Sequence, residues 1–234
     1  MSFTIHIPTR FNGPPSSANG GVAAGLAAQA IDGPAEVSLR APPPLDTDLQ
    51  VVARDDGYEC WHDQQLVMSL RPAAPLSPVP PAPSVETARA GRGHFPPLET
   101  HAFPGCFVCG PDRTHDGLCI FAGQPDGFDG VADIWTPQAD LGDAEGRVRP
   151  EILWAALDCP GAFAIGFRDR PMVLARMSTQ LHMRPPVSEE LIVAGWHQFD
   201  DGRKHGASTA VFTPDGHLVA QSEQLWIELK SPAA

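Results

Sequence analysis

Three groups of residues have the types and spacing for chemistry. Asp158 follows the run Ile152-Leu153-Trp154-Ala155-Ala156-Leu157, which reads as an apolar helix. A carboxylate in such a setting is costly unless it is paired or functional, and a functional one can act as a general base. Pro160-Gly161 is expected to break the helix just beyond, so the plainer reading puts Asp158 near a helix end with a hydrogen-bond partner. The second group is Asn19-Gly20-Gly21, which opens the Ala-rich helical run Val22 to Ile31. Asn19 is suited to cap that helix, and glycines let a ligand approach the free amides of its first turn. Both readings hold together, because capping and ligand binding use different amides. The third group is Cys106-Phe107-Val108-Cys109, with Cys119, His94, His101 and His115 nearby in sequence. Structural zinc needs four ligands, usually from two such pairs. One pair is present, so no metal and no redox role is expected.

These groups sit in two pieces separated by Pro72 to Pro97, a stretch with eight prolines. Proline fixes φ and removes a donor, so the stretch reads as an extended, semi-rigid linker. The pieces, 1–71 and 98–234, then follow one order of landmarks. In the first, the helix leads to a strand from Ala35 to Leu39, the break Pro42-Pro43-Pro44 and a strand Leu49 to Val52. The turn Asp55-Asp56-Gly57 and the runs Tyr58 to His62 and Leu66 to Leu70 follow. In the second, the helix leads to a strand around Leu174 to Met183, the break Pro185-Pro186 and the strand Leu191 to Val193. The turn Asp200-Asp201-Gly202 and the runs Ala207 to Phe212 and Leu218 to Leu229 follow, with Asp215-Gly216 marking a tight hairpin. The shared order implies duplication. Neither unit can bury its helix alone, so a curved antiparallel sheet is expected to wrap each one, the two sheets meeting edge to edge in an α+β fold.

Composition narrows the function classes. With 234 residues, 42% hydrophobic and 19% charged, the chain is globular. Its net charge of −12 comes from 28 acidic against 16 basic residues, too few for a basic stripe. Nucleic acid and anionic membrane surfaces are therefore excluded as partners. An anionic small ligand is not, because a few arginines and helix amides can hold one locally. Five cysteines without a signal peptide imply a reducing, cytoplasmic location. No run is long and apolar enough to span a membrane.

The pattern resembles the hotdog fold, and the duplicated chain resembles the double-hotdog acyl-CoA thioesterases. Ala18-Asn19-Gly20-Gly21-Val22 is similar to the Gly-Gly helix start of hotdog thioesterases. Cys106-Phe107-Val108-Cys109-Gly110, followed by Gly117-Leu118, is similar to a segment that precedes the first strand in many hotdog proteins. Ala156-Leu157-Asp158, His182-Met183-Arg184-Pro185-Pro186 and Asp215 to Gln224 resemble the carboxy-terminal repeat from helix to last strand.

This resemblance implies a tandem hotdog that hydrolyses an acyl-CoA thioester to free acid and CoA, without a cofactor. Asp158 would activate water and Gln224 would orient it. Asn19, Gly20 and Gly21 would bind substrate, the glycine amides polarising the carbonyl. Aligning the repeats puts Ala28 opposite Asp158, Arg149-Pro150-Glu151 opposite Asn19-Gly20-Gly21, and Pro72 opposite Gln224, so one composite site per chain is expected. Arg40, Arg71, Arg176 and Arg184 are candidates for the CoA phosphates, each equally a solvated strand-face charge. The family's water-holding Thr is replaced by Ala175, and Ser178 or Thr179 could substitute only if the strand register slips. A non-catalytic acyl-CoA or lipid-binding protein is thus the alternative of another class. A dehydratase or hydratase is weaker, because no Asp/His pair is evident. Self-association into a homo-oligomer stays open.

Overall fold

Period-two burial makes the strands: Asp48–Arg54 buries Leu49 and Val51 and exposes Asp48 and Gln50. The computed structural model describes residues 2–96, 99, 101–113, 115–167 and 172–229. In chain order the elements are β1 (Ser2–His6), α1 (Gly20–Ala28), β2 (Ala35–Leu39), β3 (Asp48–Arg54), β4 (Gly57–His62) and β5 (Gln65–Pro72). They continue with α2 (Val85–Gly93), β6 (Val131–Trp135), α3 (Pro150–Ala164), β7 (Met172–Leu181), β8 (Leu191–Asp201), β9 (Lys204–Phe212) and β10 (Leu218–Glu228).

The strands form one antiparallel sheet in the order β1-β3-β4-β5-β2-β7-β10-β9-β8-β6. Five strands come from each half of the chain, and the halves join where β2 pairs with β7, Ala35 opposite Thr179 and Ser38 opposite Arg176. The sheet curls around α1 and α3, whose apolar residues lie in one large core. This is the expected tandem hotdog, the two sheets meeting edge to edge. No described helix is long and apolar enough to cross a membrane.

The duplication reaches further towards the amino terminus than the sequence landmarks do. The bridge between Asn12 and Ala18 recurs 130 residues on between Gly142 and Val148, and Gly20 recurs as Pro150 at the helix start. β1 and β6 therefore correspond, although neither was expected as a strand. The expected boundary between Pro97 and Leu98 falls outside the described residues. Part of the linker also departs from expectation. Pro75 to Pro83 is without helix or strand, but Val85–Gly93 is helical, capped by Ser84, whose side chain accepts from the Thr87 amide. No proline interrupts residues 84 to 93, and Ala88 and Gly91 give α2 a small face that packs on β6. A second apolar cluster, with Trp196 and Phe212, forms on this outer face of the sheet. Burial on both faces explains why β8 runs apolar from Leu191 to Trp196 without alternation.

The expected break at Pro160-Gly161 does not occur. α3 continues through both residues to Ala164, with Cys159, Pro160, Gly161 and Ala162 buried. Proline supplies no N–H, so the Ala156 carbonyl one turn earlier loses its helical donor. The next carbonyl is held from the sheet: Thr209 Oγ1 donates to the Leu157 oxygen at 2.9 Å, and Gln224 Nε2 donates to the same oxygen.

α1 and α3 touch directly. A Cβ built on Gly21 would lie 2.6 Å from the Trp154 carbonyl oxygen, and one on Gly25 would lie 2.6 Å from Glu151 Cα. The clashing atoms are backbone and cannot rotate away. Gly21→Ala should therefore destabilise the protein by about 1–3 kcal/mol through overpacking. A urea titration by tryptophan fluorescence checks this, and an unchanged midpoint would mean that the helices can separate.

Candidate active site

The contact between α1 and α3 sets the carboxylate. Asp158 stands in the ninth position of α3 and is buried. Its Oδ2 accepts from Asn19 Nδ2 at 2.7 Å and from the Gly21 amide at 2.9 Å. Asn19 also caps α1, its Oδ1 accepting from the Val22 amide at 3.0 Å. One side chain thus fixes the start of α1 and links it to α3. Asp158 Oδ1 is buried without a hydrogen-bond partner among the described residues. Burial pushes the carboxyl up to about 7, and the nearby Cys106 charge adds to this. The bonds from Gly21 and Asn19 act in the opposite direction.

The glycine amides divide their work. The sequence reading gave both to a ligand carbonyl, but the Gly21 amide is already spent on Asp158. Val22 and Ala23 donate to the Asn19 side chain and carbonyl, so the Gly20 amide is the one left without a partner in this turn among the described residues. Asn19, Gly20 and Asp158 together line a cavity of about 470 Å³. The rest of the wall is mostly apolar, with Phe103, Phe163, Phe167, Met172, Leu174 and Trp226. Such a size and lining suit a small molecule with an apolar part. Arg40 lies exposed on the rim. Arg71 and Arg176 instead face Glu36, and Arg184 is paired with Asp143.

Gln224 is not brought to the cavity. Its Nε2 donates to the Leu157 carbonyl, to Ser222 Oγ at 3.0 Å and to Thr209 Oγ1 at 3.2 Å, while its Oε1 accepts from Trp226 Nε1 at 2.7 Å. The expected water-orienting role does not fit a carboxamide occupied at both ends. It supports the residue preceding Asp158 instead. The hydroxyl expected near Ala175 is also absent. Ala175 lines the cavity at an irregularity where Arg176 faces Leu225 and Leu174 faces Trp226. Ser178 bonds Glu36 at 3.4 Å, and Thr179 Oγ1 is buried without a partner.

Residues that the sequence reading passed over sit beside Asp158. Thr209 and Ser222, 2.8 Å apart through their hydroxyls, complete the support of the Leu157 carbonyl. Cys159 adjoins Asp158 in α3, with its sulfur 3.8 Å from that of Cys106. Strand alternation could have flagged Thr209 and Ser222 as inward-facing, but nothing local pairs Cys159 with a turn fifty residues earlier.

No protein-family model matches the sequence, and no curated protein matches it. Solved structures do share the fold. The tesB protein of Mycobacterium avium subspecies paratuberculosis superposes with a TM-score of 0.62 at 12% identity, over 98% of this chain and 93% of that one. Acyl-CoA thioesterase II TesB2 from Mycobacterium marinum gives 0.58 at 12% identity, over 93% and 92%. A protein of unknown function with a hot dog fold from Alicyclobacillus acidocaldarius gives 0.58 at 12% identity, over 99% and 94%. At these identities the common property is the architecture, the hotdog unit taken twice.

The double duty of Asn19 has a measurable consequence. Asn19→Ala removes the cap and a donor to a buried carboxylate, and should cost about 1–3 kcal/mol in urea denaturation. Asn19→Ser keeps a cap but not that donor, and should fall between the two. Equal stability of Asn19→Ser and wild type would show that the bond to Asp158 carries nothing.

Proposed function

We propose that the chain is an acyl-CoA thioesterase-like hydrolase, cleaving an acyl-CoA thioester to free acid and CoA at one site per chain. The observation that carries this is Asp158 Oδ1, a buried carboxylate oxygen with no partner, in the wall of an apolar cavity that also presents the free Gly20 amide. In this reading the acyl chain lies among Phe103, Phe163 and Phe167, and the thioester carbonyl accepts from the Gly20 amide at the start of α1. Asp158 takes a proton from water, and the hydroxide adds to the carbonyl carbon. Collapse of the tetrahedral intermediate expels the CoA thiolate, which takes the proton back from Asp158. Asn19 and the Gly21 amide hold Asp158 in place, and Gln224, Thr209 and Ser222 hold the turn of helix that carries it. Arg40 on the rim is placed to meet the phosphates of CoA, which an acidic chain must bind through local charges. The cysteine usage supports a cytoplasmic location. The thioesterases among the structures of like fold support the substrate class.

A second reading rests on Ala175 and Gln224. With a methyl group at Ala175 and Gln224 turned away from the cavity, neither position expected to help hold water does so, which suits a protein that binds acyl-CoA without turning it over.

Release of free CoA from a panel of acyl-CoAs, followed by chromatography, tests the proposal. Wild type should turn over at least one ester, and Asp158→Asn should lose about 10²- to 10⁴-fold in kcat. Arg40→Ala should raise KM for the CoA ester and leave kcat in place. Saturable acyl-CoA binding without hydrolysis by wild type would establish the second reading. Full activity in Asp158→Asn would remove the carboxylate from the mechanism.

A further inference from the structure

Beside Asp158 the chain gathers three sulfurs that the hydrolytic reading does not use. Cys106, Cys109 and Cys159 are buried, and their Sγ atoms lie within 4.8 Å of one another. Two come from the turn at 106–110, and the third comes from α3. All three residues also line the cavity.

The turn is tight. The Gly110 amide closes it onto the Cys106 carbonyl at 2.9 Å. A Cβ on Gly110 would lie 2.4 Å from the Cys106 nitrogen, so the turn closes this tightly only with glycine there. Amides of Phe107 and Ile120 tie it to the carbonyls of Asn12 and Val108 at 2.8 and 2.9 Å. Asn19 Nδ2, which holds Asp158, also stands 4.0 Å from Cys159 Sγ.

We propose that Cys106, Cys109 and Cys159 bind one zinc ion, with the fourth coordination position open to the cavity. The donor set is all sulfur, which selects a soft, tetrahedral cation rather than magnesium or calcium. Zinc–thiolate bonds of about 2.3 Å place neighbouring sulfurs about 3.8 Å apart, and Cys106 and Cys159 stand at 3.8 Å. Charge points the same way. No arginine or lysine among the described residues pairs with Asp158 or with these sulfurs, and burial holds His101, which faces the Cys106 charge, toward its neutral form. A divalent cation would supply the positive charge that three thiolate ligands need. It also clips the 103–110 segment onto α3, fixing one wall of the cavity. The expectation of no metal was drawn from the lone Cys106–Cys109 pair, without the third sulfur that the helix brings beside it.

Zinc binding by the reduced, full-length protein tests this without any assay of turnover. Competition against a chromophoric chelator should give one tightly bound zinc per chain. Cobalt(II) in its place should show sulfur-to-metal charge transfer and a tetrahedral spectrum. Cys159→Ser and Cys109→Ser should each weaken zinc binding by about a hundredfold or more, and Cys119→Ser, outside the cluster, should not. The wild-type cobalt spectrum reports thiolate ligation even if a serine variant fails to fold. Substoichiometric or untraceable zinc overturns the proposal. So does equal affinity in Cys159→Ser and wild type, or a Cys106–Cys159 disulfide in the freshly isolated protein, which would make the cluster a redox pair.

Discussion

The structure depends on the close passage of α1 over α3. Helices of ordinary composition pack about 8–10 Å apart because their side chains interpose. Here Gly21 and Gly25 have none, and the backbone of α1 comes down onto Trp154, Ala155 and Glu151. Two consequences follow from that one contact. The amide of Gly21 reaches a side chain on the neighbouring helix, and Asp158 can be buried at a helix contact while keeping two charge-assisted donors. A residue with a Cβ at position 21 would cost the packing and the hydrogen bond together.

The buried carboxylate then imposes on the elements around it. A carboxyl group taken out of water favours its neutral form, and Asn19 and Gly21 only partly reverse this. Both donors fall on Oδ2, which leaves Oδ1 without a partner among the described residues and gives the group a direction. The sheet contributes from the other side. Pro160 weakens the ladder just past Asp158, and the hydroxyl of Thr209 with the amide of Gln224 holds the Leu157 carbonyl in its place. Gln224 is held in turn by Ser222 and by the indole of Trp226. β9 and β10 thus brace, from the side of the sheet, the turn of α3 that carries Asp158 and Pro160.

Much of this was legible in the sequence, and the failures have physical causes. The duplicated order of helix, proline break and hairpins gave the architecture, since landmarks of that kind are local. Asp158, Asn19, Gly20 and Gly21 were legible because a lone carboxylate in an apolar helix and a capped glycine pair each stand out against their neighbours. Their division of labour was not. Which glycine amide stays free depends on how α1 lies on α3, and no spacing within one helix encodes that. The helix break at Pro160 failed because tertiary packing overrode intrinsic propensity, the turn from Cys159 to Ala162 being buried. Gln224 was found and given the wrong work, as a register of hydrogen bonds across β10 decides where its carboxamide goes. α2 was hidden by the proline count around it, and Cys159 by its distance in sequence from Cys106.

Duplication explains why the described residues carry this arrangement once. The 130-residue correspondence takes Gly20 to Pro150, Gly21 to Glu151 and Ala28 to Asp158. Pro150 has no N–H, so the second helix start cannot offer the amide that Gly20 leaves free. Glu151 brings a Cβ and a carboxylate where Gly21 gave close approach, and it is occupied by Arg149 at 3.2 Å. Ala28 offers no side chain to catalyse anything. Each repeat thus lacks the half that the other keeps. The helix start could lose its side chains only where it faces the carboxylate, and the carboxylate could be buried only where glycines let donors reach it. Once one of the two equivalent places carried both, the other had no use for either.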